Sequence, residues 1–250
     1  MPETQAKDTK KEAPAVTDLR ERGRAADGSV SFSDRRLFMS FSAFGGARDF
    51  APLIKALEPA KMPAALYADL HDPRGAGLLA MSEDPSFFVG ELRKFFNAGP
   101  FADLELKPAY SMAGRTYALG HEPNLDDWLV DRPRRVVLDP EWPWAVWYPL
   151  RRAGAFAALP VEEQTKMLRE HGAIGHAFGN AGLGKDIRLD CHGIDPADND
   201  FIIGLLGREL HPLSALVAAM RKTKQTSGYI EKMGPFFIGK AVWQSKEKPS

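Results

Sequence analysis

One cysteine, Cys191, stands in 250 residues, which excludes an internal disulfide and any cysteine-based metal site and suits a reducing compartment. No apolar run approaches the ~20 residues of a membrane span, and the first residues lack a signal-peptide core. A cytoplasmic protein without membrane contact is therefore expected. Charge of one sign is missing too: 33 basic and 33 acidic residues cancel, so no overall field draws the chain to nucleic acid or an anionic surface. An anionic ligand must be met by a local basic cluster. What is present is 44% hydrophobic residues, enough for one large core or two small ones.

Residues 1–31 carry Lys, Glu, Asp, Ala and Pro with few large apolar groups, and a disordered tail is expected there. Structure begins at Arg36–Phe44, where Leu37, Met39 and Phe41 alternate with Phe38, Ser40 and Ser42 as in a strand. Phe50–Leu57 reads as a helix, and Ala64–Leu70 and Gly77–Met81 as a hairpin around Asp72-Pro73-Arg74-Gly75. Phe87, Phe88, Leu92 and Phe95 form a helical apolar stripe after Ser82–Pro85, and Leu104–Leu119 closes the half with one or two strands. The order then recurs. Trp144–Leu150 is strand-like, Pro160–Glu170 helical, Ile187–Ile194 and Phe201–Leu206 strands, Leu213–Lys222 a helix and Phe236–Trp243 a last strand. Each half reads strand, helix, strand, strand, helix, strand, the ferredoxin-like order, so the fold class is α+β. The boundaries are an N-terminal half over 32–121, a polar connection over 122–135 and a C-terminal half over 136–245. Cys191 reads as a structural thiol on a strand.

The stretch Lys166–Gly179 concentrates the chemistry. A helix pattern runs into His171, Gly172 and Gly175 follow, and His176 comes five residues on. An imidazole at a helix end, with a glycine that lets the backbone turn away, can present a lone pair to a flat ligand, as an axial haem ligand must. The same residues also satisfy a helix C-terminus at which a charged histidine meets the dipole.

The second half resembles the chlorite dismutase family, whose members include the coproheme decarboxylases of haem synthesis. The likeness is carried by Trp147-Tyr148-Pro149-Leu150, Glu170-His171-Gly172-Ala173-Ile174-Gly175, the run Arg221–Tyr229, and Gly234-Pro235-Phe236-Phe237-Ile238-Gly239. It implies two ferredoxin-like halves packed as a dimeric α+β barrel, haem b or coproheme in the second half, and a homopentamer. His171 matches the family's iron ligand, with Met167, Leu168, Ile174 and Gly175 on its side of the helix. Tyr148 matches the tyrosine that passes an electron and proton between a propionate and an oxidised haem; its bland alternative is a core aromatic with a bonded hydroxyl. Arg134, fourteen residues before Tyr148, matches a propionate-binding arginine, with Arg135 beside it; such a run also reads as a solvated basic patch. Arg152 replaces a lysine and Thr226 a serine, so charge and hydroxyl are retained at both carboxylate-binding positions.

Departures from the family pattern accompany the matches. Asp186 falls where chlorite-splitting members keep a distal arginine and many decarboxylases a glutamine, flanked by Lys185 and Arg188. Strand alternation puts Asp186 and Arg188 on one face as candidates for catalytic work, Asp186 as a base toward peroxide. Leu206 falls where chlorite-splitting members place a carboxylate that bonds the iron-ligating histidine. These features imply a peroxide-dependent, coproheme decarboxylase-like oxidoreductase. The alternatives are a chlorite dismutase or haem peroxidase, a haem carrier or sensor without turnover, and a cofactor-free oligomeric module. His176 matches no ligand position.

Overall fold

The structure, a computed structural model, describes residues Asp18–Lys246. Residues 1–17 of the expected tail lie outside the described residues, but the rest of that segment is ordered: β1 (Glu21–Arg24) and β2 (Val30–Ser33) form an antiparallel hairpin turning at Gly28, φ 87°. Its anchors are far along the chain. Glu21 accepts from Arg115 at 3.0 Å and from the Ala118 amide at 2.9 Å, contacts that local composition does not reveal.

The first half runs β3 (Phe38–Gly45), α1 (Ala51–Leu57), β4 (Ala64–Asp69), β5 (Ala76–Ser82), α2 (Ser86–Val89), α3 (Glu91–Phe96), β6 (Glu105–Leu106) and β7 (Met112–Thr116). Gly90 divides the expected single helix into α2 and α3. The segment expected as a polar connection is helical over most of its length. A π-helical turn, Asp127–Asp131, leads into α4 (Arg132–Leu138), because Leu125, Leu129, Val130, Val136 and Val137 recur at helical spacing and are buried.

The second half follows with β8 (Trp144–Arg152), α5 (Gly154–Ala157), α6 (Val161–Asn180), β9 (Lys185–Asp190), β10 (Phe201–Gly207), α7 (Leu210–Met220), α8 (Lys224–Tyr229), β11 (Ile230–Met233) and β12 (Phe237–Gln244). Cys191, buried, lies just beyond β9 and donates its thiol to the Asn199 carbonyl at 3.1 Å. The helix expected to stop at His171 continues for nine residues more. Gly172 and Gly175 inside it cost about 1 kcal/mol each relative to alanine, which the flanking turns absorb. The chain turns instead at Gly182, φ 66°, where the Leu183 amide donates back to the Phe178 carbonyl at 3.0 Å.

The strands of the first half lie in the order β7-β3-β5-β4 and those of the second in the order β9-β10-β8-β12, all antiparallel. In both, the first strand sits between the third and the fourth, the ferredoxin-like arrangement. Pairing of β7 with β9 and of β4 with β12 closes the eight strands into one barrel. Its interior is filled by Phe41, Tyr67, Leu79, Trp147, Ile202, Leu206 and Phe237. The outer faces bear the helices: Leu53, Leu57 and Leu92 pack on the first half, and α6 and α7 on the second over Val146, Tyr148, Leu150 and Leu205. The two halves thus cover each other's inner faces within a single chain, each buried large side chain contributing roughly 1.5–3 kcal/mol.

Candidate functional site

The candidate site is the outer face of the second half, beneath α6. Register decides which side chains share it: Tyr148 lies opposite Ile203 and Ile203 opposite Arg188, while Val146, Leu205 and Asp186 form the next row. Residues two apart on a strand share a face, so Tyr148, Arg152, Asp186 and Arg188 stand together and Trp147 points into the barrel. None of the α6 residues is fully buried, though Met167, His171, Ile174 and Phe178 turn partly inward. Leu168, expected on that side, is exposed, and so is His176.

His171 Nδ1 is 3.3 Å from Thr223 Oγ1 and 3.5 Å from Thr226 Oγ1. Its Nε2 has no hydrogen-bond partner among the described residues. Burial, and then the charges of Arg188 and Arg152, hold the imidazole below its ordinary pKa, so it is neutral, the form that ligates metals. Thr226, expected to hold a carboxylate, thus stands on the Nδ1 side of the ring. Leu206 is buried in the barrel interior, so no group at that position reaches the histidine.

Tyr148 is buried and stacks on Phe236, ring centroids 4.3 Å apart and planes at 19°. Its hydroxyl has no hydrogen-bond partner among the described residues. Burial pushes the phenol well above its ordinary pKa, against the pull of Arg221. Arg152 ends the same strand face with its guanidinium between the rings of Phe156, at 4.6 Å, and Phe201, at 4.9 Å. Its Nε is buried without a hydrogen-bond partner, and burial lowers its pKa. A half-buried cation with a buried, unused donor can take up an anion.

Asp186 does not stand alone as a base. Arg188 Nε is 3.2 Å from one carboxylate oxygen and Arg132 Nη2 3.5 Å from the other, while Arg132 Nη1 donates to the Asp186 carbonyl at 3.1 Å. Both guanidiniums lie over Trp128, at 4.7 Å for Arg132 and 5.6 Å for Arg188. Two cations against one carboxylate leave this corner positive, which removes the repulsion that Asp186 would impose on an anion. Lys185 is on the other strand face, its Nζ 4.4 Å from the Trp142 ring.

Arg134 is not brought to His171: its Nη2 meets Glu83 at 3.5 Å, and Arg135 pairs with Asp127 at 2.7 Å. Sequence reasoning misses Arg132, Trp128, Thr223, Arg221, whose guanidinium is 6.0 Å from the Phe236 ring, and Tyr117, whose ring is 5.9 Å from that of Phe201. Arg132 is visible only as part of the run Arg132-Pro133-Arg134-Arg135, and the helical spacing of its apolar neighbours is the available signal. Thr223 carries an N-cap signal, as a threonine just before a short helix.

The chlorite dismutase family profile matches residues 128–242, which take in β8 to β11, α5 to α8 and all but the last two residues of β12. Among solved structures, the chain is similar to a haem-binding protein from Thermus thermophilus, at 18% identity with 83% of this chain and 91% of that one covered and a TM-score of 0.63. It is equally similar to the chlorite dismutase from Candidatus Nitrospira defluvii in complex with imidazole, at 17% identity with 82% and 91% covered and a TM-score of 0.63. At such identities the likeness is one of fold.

Proposed function

We propose that the second half of this chain, which matches the chlorite dismutase family profile over residues 128–242, binds an iron porphyrin through His171 and uses peroxide to remove carboxylate from the porphyrin's propionates, as the coproheme decarboxylases do. The residues present fit such a group. A neutral imidazole with a free Nε2, a half-buried guanidinium whose Nε has no acceptor and a wall of Tyr148, Phe236, Ile203 and Phe201 suit a flat, apolar, carboxylate-bearing ligand. Arg152 is the observation that carries the reading, because its Nε is buried on the Tyr148 strand face without a hydrogen-bond partner and its guanidinium has no ion pair among the described residues, the nearby Asp200 carboxylate accepting instead from the Arg152 backbone amide at 2.7 Å. Arg152 binds one carboxylate by its fork of donors, and Arg221, beside the Tyr148–Phe236 stack, meets another.

The bound iron supplies oxidation by peroxide. Each propionate becomes a vinyl group by losing carbon dioxide, a proton and two electrons, and peroxide accepts the electrons and, with two protons, becomes two waters. Tyr148 is suited to relay them: burial keeps its phenol protonated and its hydroxyl is unbonded, so proton and electron can leave together and a hydrogen atom can be taken back from the propionate. Coproheme with peroxide is expected to lose two carboxylates stepwise. Tyr148→Phe should bind and stall, and His171→Ala should lose the Soret shift on titration; a Tyr148→Phe variant that turns over like the wild type overturns the reading.

The clamped Arg188 favours a second reading, chlorite dismutation, in which its charge holds a departing oxyanion. Oxygen release from chlorite faster than peroxide turnover, and lowered by Arg188→Ala, would establish that reading instead. A carrier or sensor would bind and leave both reagents unchanged. The family resemblance further implies a ring of five chains. Light scattering on the purified protein tests the assembly, and a monomer at micromolar concentration would refute it.

A further inference from the structure

We propose that Thr223 is a positioning residue that fixes His171 in the tautomer carrying its hydrogen on Nδ1, leaving the lone pair on Nε2. The hydrogens available around Thr223 decide this. A threonine hydroxyl has one hydrogen to donate and two lone pairs to accept with. Thr223 Oγ1 lies 2.8 Å from the Met220 carbonyl, which can only accept, and 3.2 Å from Thr226 Oγ1. The single hydrogen goes to one of these, and the shorter contact is to Met220. Its lone pairs then face the Thr226 amide at 3.4 Å, which can only donate, and His171 Nδ1 at 3.3 Å. With the hydroxyl hydrogen engaged elsewhere, the hydrogen between Oγ1 and Nδ1 must come from the imidazole. The one competitor is the Thr226 hydroxyl, at 3.5 Å from Nδ1 and at the limit of a hydrogen bond.

Thr223 is well placed to impose this choice. It is 2% exposed, and as the N-cap of α8 it has extended backbone angles, φ −69° and ψ 151°, that aim its side chain at the start of the helix. A neutral imidazole has one N–H, so a hydrogen on Nδ1 leaves Nε2 bare. What that lone pair does rests on the iron-binding reading; which nitrogen bears it does not. If it meets iron, loss of the fixed acceptor should weaken haem binding about 10- to 100-fold, as for other histidine ligands deprived of their outer partner.

The test is nitrogen-15 NMR of the His171 imidazole in the full chain without haem, above the titration range of the ring. The wild type should show a protonated Nδ1 and a bare Nε2. Thr223→Val should shift the ring toward the Nε2–H form, and Thr223→Ser should restore the wild-type pattern. Because valine also removes the cap of α8, Thr223→Asp is the second variant: its carboxylate caps the helix and can only accept, so Nδ1–H should persist. A wild-type ring protonated at Nε2, a tautomer unmoved by Thr223→Val, or an Nε2–H ring in Thr223→Asp each overturns the proposal. A tautomer that follows Thr223 beside unaltered haem binding by His171→Ala would instead sink the iron-ligand assignment and leave this one standing.

Discussion

Arginines around the sheet face differ by what neutralises them, and that difference predicts which of them bind a ligand. Arg134 pairs through Nη2 with Glu83, which keeps a second partner in Arg35 at 2.9 Å; the Nε atoms of Arg134 and Arg152 are both buried without a partner, but Arg152 has no ion pair among the described residues. A hydrogen bond to a charged group contributes about 1.5–3 kcal/mol, and about 1.4 kcal/mol is tenfold in affinity. Arg152→Ala should therefore weaken binding of a carboxylate-bearing porphyrin by about tenfold or more, while Arg134→Ala should change it little; optical titration with coproheme checks both, and the reverse order would return Arg134 to the site. Part of this is readable in the sequence. Strand alternation puts Asp186 and Arg188 on one face without knowledge of distant partners, whereas Tyr148 is picked out by the family resemblance. Arg132 and Arg134 cannot be told apart in a segment that reads as a connection, but on a helix they point roughly 200° apart, so only one can face Asp186.

At the scale of elements, glycines read as places where the chain turns, and the structure uses several of them as places where something else comes close. Gly204 in the middle of β10 lies opposite Trp147 of β8, and a Cβ there would overlap the indole ring. Gly77 of β5 stands in the same relation to Phe41 and Phe237. Glycine inside a strand gives up about 0.5–1 kcal/mol relative to alanine, so its presence here reflects the space the aromatic rings take. Gly204→Ala is expected to destabilise the fold by about 1–3 kcal/mol through overpacking, seen as a lower urea midpoint. An unchanged midpoint would mean that the Trp147 ring moves aside freely. The same logic explains why the sequence misplaces the end of α6: helix interiors tolerate Gly172, whose absent Cβ would meet nothing within 4 Å, and the hydrogen-bond ladder simply continues past it.

Element order discloses two ferredoxin-like halves, yet closure into a single barrel depends on edges meeting across more than 70 residues, which no local pattern reports. The seams are unequal. β4 and β12 pair over five residues, while β7 and β9 meet only at Arg115–Asp190 and Thr116–Leu189, where the Arg115–Asp190 ion pair at 3.3 Å adds support. Short pairing at one seam would let the halves part if strand hydrogen bonds alone joined them. The barrel interior argues otherwise, since Trp147 of the second half stacks on Phe41 of the first at 6.1 Å, and Phe237 meets the same ring at 4.6 Å. Parting the halves would expose this shared apolar core on both sides at roughly 25 cal/mol for each Å². Urea unfolding should accordingly be one cooperative transition, with tryptophan fluorescence, to which Trp142 and Trp147 of the shared core contribute beside Trp128, Trp144 and Trp243, and far-UV circular dichroism, which reports the helices on the outer faces, coinciding at the same midpoint. A fluorescence change that precedes the loss of helix would show that the barrel opens along its short seam while each half keeps its own fold.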